Sequence, residues 1–211
     1  MAMTTLYLLR HAESEANARH LLAGQKDYAL TNTGKADAQS LALDFAARFA
    51  IDAIWCSPLL RAQQTAAPFL TACNVPIKID KRLLEQDMGR FSGMSYAEAE
   101  GDPGYRADRS ARWDWQPDGG GESYRQIAVR VAAWLEDIRN QYASHEHARL
   151  LVVTHAVTLR LFRACLENTL PRYPEKIAGN GELWIAPLPA PGQASVIESV
   201  PLGNGPRAHR A

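Results

Sequence analysis

The sequence predicts an α/β fold, a three-layer α/β/α sandwich around a mostly parallel central sheet, on three observations. Apolar runs typical of strands alternate with helical patterns along the chain. The run LLVVT at 150–154 is apolar apart from its last residue, as expected of a parallel strand covered on both faces. The segment 122–142 carries apolar residues at helical spacing, which predicts a helix packed on the sheet.

The first half of the chain supplies three strands and two helices. In order, we predict a strand at 6–9, a helix within 30–50, a strand at 51–57, a helix after it, and a strand at 75–79. The helix after the second strand is expected to start with Ser57 as its N-cap and Pro58 in its first position, where a missing N–H costs nothing.

The second half begins with an irregular segment, 86–121, which is rich in arginine and aromatic residues. After it we predict a helix at 122–142, a strand at 148–155, a helix at 157–167, and two late strands at 181–188 and 194–200 that form an edge hairpin. No linker composition interrupts this order. We therefore predict a single domain over 1–201 and a flexible tail over 202–211, which is rich in Gly, Pro and Arg.

Charge and cysteine content narrow the class of function. Lys+Arg and Asp+Glu both number 23, and this zero net charge argues against a nucleic-acid or membrane-surface partner. The three cysteines form no CxxC pair, which favours a reducing cytoplasm over a disulfide scaffold. The N-terminus lacks the features of a secretory signal, and no apolar stretch approaches the roughly 18–20 residues that span a bilayer.

Side chains that could take part in catalysis lie at or just after the ends of the predicted strands. Arg10 and His11 end the first strand, and His155 ends the LLVVT strand. Arg61 lies one turn into the helix after the second strand, and Glu85 follows the third strand. Since binding crevices of parallel sheets lie at the carboxyl ends of the strands, we expect these five residues to meet there.

Together these groups suit chemistry on an anion. Two guanidinium groups offer forked donors for a phosphate or a carboxylate, and they neutralise charge without a metal, so we expect no cofactor. A neutral imidazole can attack phosphorus, and a carboxylate can protonate a leaving alkoxide and later activate water.

Each residue also has a plainer interpretation. Arg61 could be a solvated surface residue, His155 a satisfied histidine at a helix start, and Glu85 a partner for Arg82. Cys56 is interpreted as strand packing rather than as a nucleophile, because no activating pattern surrounds it. The arginines and aromatic rings of 86–121 suit a small phosphorylated metabolite with an apolar or ring portion, or they pack under a long loop.

Six segments resemble, in order, the motifs of the histidine phosphatase superfamily, also called the phosphoglycerate mutase-like family. They lie between residues 6 and 163 and are LLRHAESEAN, AGQKDYALTNTGKADAQ, CSPLLRAQQTA, LLEQDMGRFSG, GGGESYRQIAVRV and LLVVTHAVTLRLF. Each motif alone is weak to moderate, whereas all six in the family's order are strong. Ala12 and Ala156 depart from the pattern, since both replace the glycine that usually follows each histidine.

The resemblance implies a phosphoglycerate mutase-like fold and a role for each matched residue. His11 would become phosphorylated and Glu85 would be the general acid and base. Phosphate or substrate would be bound by Arg10, Asn17, Gly24, Arg61, His155 and Ala156. As a phosphate ligand, His155 should be protonated while His11 starts neutral, so we expect their pKa values to diverge.

The resemblance also implies the activity. The compact 86–121 segment favours a metal-independent phosphomonoesterase for a small phosphorylated metabolite over a phosphoglycerate mutase-type transferase, which remains the alternative. A non-catalytic module that binds phosphorylated ligands is a second alternative. A metal-dependent hydrolase is disfavoured, because no metal-binding motif accompanies the histidines. Inorganic phosphate or sulfate should fit the same site, and the oligomeric state, a homodimer included, stays open.

Overall fold

A six-stranded sheet organises residues 3–203, the part of the chain that this computed structural model describes. Its strands are β1 (Met3–Arg10), β2 (Ala53–Cys56), β3 (Ile77–Ile79), β4 (His147–Thr154), β5 (Leu183–Pro187) and β6 (Glu198–Val200). The α-helices are α1 (Glu15–Ala18), α2 (Asn32–Arg48), α3 (Leu60–Cys73), α4 (Tyr96–Glu100), α5 (Tyr124–Gln141) and α6 (Ala156–Leu166).

The strands lie in the order β3-β2-β4-β1-β5-β6. The first four are mutually parallel, while β5 runs antiparallel to β1 and β6 antiparallel to β5. The predicted mostly parallel sheet and its late edge hairpin are both confirmed. Because β1 and β4 lie at the centre, their carboxyl ends meet in the middle of one edge of the sheet.

Alternate residues of the central strands are buried on opposite faces of the sheet, which makes three layers. Leu6 and Leu8 of β1 pack with the core formed by α5 and α6. Tyr7 and Leu9 pack with the core formed by α2 and α3. Both faces of the strand are therefore covered, as the continuous apolar runs predict.

The predicted long helices are present, but the start of α3 is not where the sequence placed it. Helix α2 is capped by Thr31, and α5 begins with a capping box at Ser123. Helix α3 begins at Leu60, after Leu59 as its N-cap, so the prediction that Ser57 caps it is wrong. Ser57 instead continues the sheet, because its N–H donates to the Val153 carbonyl.

The irregular segment 86–121 folds over one end of the sheet on a small core of its own. Phe91, Tyr105 and Trp115 pack edge to face or tilted against each other, so these rings do pack beneath the loop. Arg90 pairs with Asp102 and Asp118 at the surface and is used structurally.

The predicted domain boundary at 201 is too early. Leu202 is buried in the core between the sheet and α2, and the Gly203 N–H donates to Asp44. The remainder of the predicted tail, 204–211, lies outside the described residues. Between residues 3 and 203, no helix combines the length and the apolar character that crossing a membrane requires.

Candidate active site

Strand register brings the two predicted histidines together. Arg10 and Thr154 are paired residues of the parallel strands β1 and β4, so the next residue of each chain segment is a histidine. The pairing extends one step further, because the His11 N–H donates to the Thr154 carbonyl at 3.0 Å. The rings of His11 and His155 lie 5.1 Å apart between centroids.

The tautomer of His11 follows from its hydrogen bond. Its Nδ1 lies 2.7 Å from the Ala12 carbonyl, which can only accept, so Nδ1 carries the hydrogen and donates it. Burial, together with the positive charges of Arg61 and Arg10, holds the pKa of His11 well below its usual range. At neutral pH the ring is therefore uncharged, with the lone pair on Nε2.

Arg10 and Arg61 are buried cations held by backbone carbonyls. Arg10 Nη1 donates to the Ala178 carbonyl, and Arg61 donates through Nη2 to Gly24 and through Nη1 to Lys26. Burial lowers the pKa of Arg10, and it lowers that of Arg61 to about 10. Within residues 3–203 the Nε atoms of both arginines are buried without an acceptor, which leaves donors for an anion.

His155 differs from the expectation in both charge and position. Burial, followed by the charge of Arg61, lowers its pKa well below the usual value, so the predicted divergence from His11 is not found. His155 Nε2 lies 2.7 Å from the Ser57 hydroxyl. When that hydroxyl donates, the neutral ring keeps its hydrogen on Nδ1, a buried atom without a partner in the described chain.

Glu85 lies at the start of helix α6, where the carboxylate accepts backbone hydrogen bonds. Its Oε2 accepts from the Val157 N–H and its Oε1 from the Thr158 N–H, both at 3.3 Å. Glu85 thus satisfies N–H groups of the first turn of α6 that have no partner within the helix. The alternative pairing with Arg82 is wrong, because Arg82 pairs with Asp80 and Asp137.

The side-chain amide of Asn17 is oriented by its neighbours. Asn17 Oδ1 accepts from the N–H and hydroxyl of Ser14 and from the amide of Asn180. Since the oxygen is occupied, the NH₂ group of Asn17 is left as the donor. Asn180 also donates to the carbonyls of His11 and Ala12, and sequence reasoning missed this residue.

An inner cavity of about 80 Å³ joins most of these groups. The predicted residues in its lining are Arg10, His11, Asn17, Gly24, Arg61, Glu85 and Ala156. His155 is not in this lining and contacts the site through His11. The volume is well below the 300–1,000 Å³ of ordinary small-molecule pockets, so the inner cavity suits one small anion.

The glycine at position 24 is required by the wall of this cavity. Gly24 has a φ of +51°, in the left-handed region that side chains rarely adopt. A Cβ there would lie 2.6 Å from the Ser92 hydroxyl oxygen. The Gly24 carbonyl also accepts a hydrogen bond from Arg61, which fixes this backbone in place. Gly24 therefore lies in the wall of the inner cavity, and its role in binding a substrate stays a prediction.

Two other groups of candidate residues take no part in the site. Cys56 is buried in the sheet, and burial raises the pKa of its thiol to about 12, as expected of a packing residue. His20, His145 and His147 are exposed, and His209 lies outside the described residues. Across residues 3–203, no cluster of three or more His, Cys, Asp or Glu side chains has the arrangement of a metal site.

The arrangement can perform nucleophilic chemistry on a bound phosphoryl group. A bare imidazole nitrogen lies among buried guanidinium donors, which would stabilise negative charge on equatorial oxygens. A carboxylate shares the same cavity and can move a proton.

Comparisons with known proteins identify the family of the chain. The family model of the histidine phosphatase superfamily (branch 1) matches residues 6–185. Phosphoserine phosphatase 1 of Hydrogenobacter thermophilus is 34% identical over 168 residues, which cover 78% of this chain and 76% of that protein. A probable phosphoglycerate mutase of Enterobacter sp. is 35% identical over 180 residues, covering 82% and 79% respectively.

A solved structure shows the same fold. The mycobacterial glucosyl-3-phosphoglycerate phosphatase in complex with inorganic phosphate has a TM-score of 0.73 at 21% identity, and the match covers 95% of this chain and 97% of that one. The resemblance found in the sequence motifs is thus confirmed by the family model and by the curated relatives. The chain belongs to branch 1 of the histidine phosphatase superfamily.

Proposed function

We propose that this protein is a metal-independent phosphomonoesterase that hydrolyses a small phosphorylated metabolite through a phosphohistidine on His11. One observation carries the proposal: a neutral His11, with its lone pair on Nε2, shares a small buried cavity with Arg10, Arg61 and Glu85. The phosphatase names of several relatives favour the same reaction class.

In the first half of the proposed reaction, the phosphoryl group moves to the enzyme. His11 Nε2 attacks phosphorus, and the bond from phosphorus to the ester oxygen breaks. Glu85, protonated at this stage, gives its proton to the departing oxygen, which leaves as an alcohol. Arg10 and Arg61 balance the charge of the transferred group, and Asn17 adds a donor through its NH₂ group.

In the second half, water replaces the alcohol. Glu85, now a carboxylate, takes a proton from the water as its oxygen attacks phosphorus. The phosphorus–nitrogen bond breaks, inorganic phosphate leaves and His11 returns to its neutral form. His155, buried behind His11 and bonded to Ser57, supports the ring of the nucleophile.

The cellular setting belongs to the same proposal. Cys56, Cys73 and Cys165 are free thiols. Unpaired cysteines are usual in a reducing cytoplasm, and we place the protein there.

The test is turnover of a generic aryl phosphate with and without EDTA, followed by a screen of phosphorylated metabolites scored for free phosphate and for isomer formation. We expect free phosphate, and we expect the rate to persist in chelator. Loss of activity in EDTA would overturn the metal-independent mechanism. Isomer formation without phosphate release would favour the mutase alternative, and binding without either product would favour a non-catalytic module.

A further inference from the structure

A buried threonine supports the loop that follows the proposed nucleophile. Thr65 lies in helix α3, one turn after Arg61, and its side chain is fully buried. Thr65 is not in the lining of the inner cavity, so any effect on catalysis must pass through a neighbouring residue. The proposed reaction gives Thr65 no role.

The partners of the Thr65 hydroxyl fix both directions of its hydrogen bonding. The hydroxyl donates to the Arg61 carbonyl at 2.7 Å, because a carbonyl can only accept. Its oxygen accepts from the Ala12 N–H at 3.0 Å, because an N–H can only donate. A threonine within a helix often bonds the carbonyl four residues back, but this oxygen also contacts a segment 53 residues away. The hydroxyl therefore joins the first turn of α3 to the loop after β1.

The hydrogen bond from Ala12 fixes the peptide that follows the nucleophile. The Ala12 N–H belongs to the planar unit that joins His11 to Ala12, so its direction also fixes the His11 carbonyl. The Ala12 carbonyl in turn accepts the hydrogen on His11 Nδ1 at 2.7 Å. Rotation of the peptide between the two residues would therefore move this carbonyl away from the ring.

Thr65 restrains this peptide more strongly than Asn180 does. Asn180 donates to the His11 and Ala12 carbonyls, but it divides two N–H groups among these and Asn17 Oδ1. The Ala12 N–H is enclosed, since Ala12 is only 1% exposed. A buried N–H without an acceptor is rarer in proteins than an under-used carbonyl. Loss of the Thr65 oxygen should therefore displace the peptide, whereas loss of Asn180 should disturb it less.

The residue before Thr65 makes a similar contact with the same loop. Gln64 Oε1 accepts from the Leu30 N–H at 2.7 Å, and Leu30 forms a β-bridge with Ser14. Two consecutive side chains of α3 thus hold the chain after His11 at two points. The helix that supplies Arg61 also fixes the backbone next to the nucleophile.

We propose that Thr65 is a positioning residue for the nucleophile, which keeps the Ala12 carbonyl against His11 Nδ1 and thereby holds the lone pair on Nε2. The proposal rests on the proposed function, because it explains how the ring is kept in the tautomer that the reaction needs. Without the hydroxyl, the ring hydrogen would exchange between Nδ1 and Nε2. Part of the enzyme would then present an N–H to phosphorus instead of a lone pair.

The kinetic test compares Thr65→Val, which keeps the shape but removes the hydroxyl, with Thr65→Ser, which keeps the hydroxyl. In Thr65→Val, kcat for p-nitrophenyl phosphate should fall about 10- to 100-fold, as expected when a reacting group loses its alignment. KM should change by less than about threefold, and Thr65→Ser should stay within about threefold of wild type in both constants.

Three kinetic results would overturn the inference. The first is a wild-type kcat in a folded Thr65→Val protein. The second is a loss in Thr65→Ser as large as that in Thr65→Val, because the hydroxyl would then not be the cause. The third is a raised KM with unchanged kcat, which would mean that Thr65 acts through Arg61 on phosphate binding.

A second readout follows the ring itself and does not depend on turnover. ¹⁵N NMR of protein labelled in its histidine rings distinguishes a protonated ring nitrogen from a bare one, and the signals absent from His11→Ala identify His11. At neutral pH we expect the wild-type ring to carry its hydrogen on Nδ1, and Thr65→Val to show mixed or averaged signals. Wild-type His11 signals in Thr65→Val would overturn the inference.

Thr71→Val is the matched control, because Thr71 lies in the same helix but is exposed. It should keep the wild-type kcat and the wild-type ring signals. Folding of each variant is checked by its thermal unfolding midpoint. If Thr65→Val does not fold, Thr65→Cys carries the test with the same expected losses, since a thiol fills the space but accepts hydrogen bonds weakly.

The outcomes separate this inference from the proposed function. Absence of wild-type turnover with every phosphate ester would overturn the proposed function, and the ring signals would still decide whether Thr65 sets the tautomer. Wild-type turnover together with unchanged ring signals in Thr65→Val would overturn the inference alone.

Discussion

The inner cavity and the outer cleft, a larger cavity of about 1310 Å³ lined mainly by the segments 95–97, 105–112 and 171–175, are built from different kinds of chain. The inner cavity takes its groups from strand ends and the first turns of helices, where register fixes each side chain relative to the sheet. The outer cleft takes its walls from irregular segments and short helices such as α4. Under the proposed function, the strand ends and helix starts would carry out the phosphoryl chemistry, while the irregular segments would contact the remainder of the substrate.

Substitutions in the two cavities should have different effects on a series of substrates. Changes in the inner cavity should slow every substrate by a similar factor, because each must pass through the same phosphoryl transfer. Changes in the outer cleft should act unequally on substrates with different leaving groups. The predictions that follow address the inner cavity, from the largest effect to the smallest.

Removal of the nucleophile should have the largest effect. His11→Ala should lower kcat by about 10⁴-fold or more for every phosphate ester, as removal of a catalytic nucleophile does elsewhere. Steady-state phosphate release measures the loss. The control is His145→Ala, which removes an exposed histidine and should leave kcat unchanged. If His11→Ala still turned over any one substrate at the wild-type rate, that result would contradict a single catalytic site shared by all substrates.

Neutralising Glu85, the proposed acid and base, should have the second largest effect on turnover. Glu85→Gln should lower kcat by about 10²- to 10⁴-fold while binding of inorganic phosphate changes far less. Product inhibition by phosphate measures binding, and the exposed Glu146→Gln provides the matched control. An equal loss of turnover and of phosphate binding would instead indicate a structural role for Glu85.

A smaller effect is expected at Asn180, which orients the Asn17 amide. Asn180→Ala should raise KM for an aryl phosphate by about tenfold and leave kcat nearly unchanged, the size of one or two lost hydrogen bonds. Exposed Asn140→Ala should change neither constant. If kcat fell as much as KM rose, Asn180 would act on the chemical step and not only on positioning.

The smallest expected effect is on the pH dependence of stability. Burial lowers the pKa of both His11 and His155 in the folded protein, so the unfolded chain takes up protons first as pH falls. The free energy of unfolding should therefore be fully present above the ordinary histidine pKa of about 6.5 and decline below it, by up to about 1.4 kcal/mol per pH unit for each histidine.

Urea unfolding at several pH values between 7.5 and 5.5 measures this decline. The variant His11→Asn should show a shallower slope, lower by up to one proton's contribution, whereas His145→Ala should keep the wild-type slope. A wild-type free energy of unfolding that does not change over this range would contradict a neutral, buried pair of histidines.

Most of the inner cavity could be predicted from the sequence because its residues lie next to strongly patterned elements. Arg10-His11 follows one apolar strand and His155 follows another. Because the two strands are parallel, both histidines lie at the same edge of the sheet. Arg61 follows from its place in the first turn of α3, even though that helix starts later than predicted.

The errors and omissions involve tertiary contacts that local patterns do not encode. Ser57 looks like a helix cap, yet its hydroxyl bonds His155, 98 residues away. Asn180 reaches the site because β5 runs antiparallel to β1 and so begins where β1 ends.

The common charge state of the two histidines was missed for a similar reason. The prediction that His155 is protonated came from its implied role as a phosphate ligand. Its complete burial and the nearby charge of Arg61 depend on the packing of α3 against the sheet, which favours the neutral ring in the absence of an anion.

The most direct test of the central claim is identification of the covalent intermediate. The protein is mixed rapidly with a ³²P-labelled ester, quenched, and examined for the stability and position of protein-bound label. We expect an acid-labile, base-stable phosphoryl group on His11, absent in His11→Ala and present in His145→Ala. A label that survives acid, lies on another residue or persists in His11→Ala would contradict the mechanism.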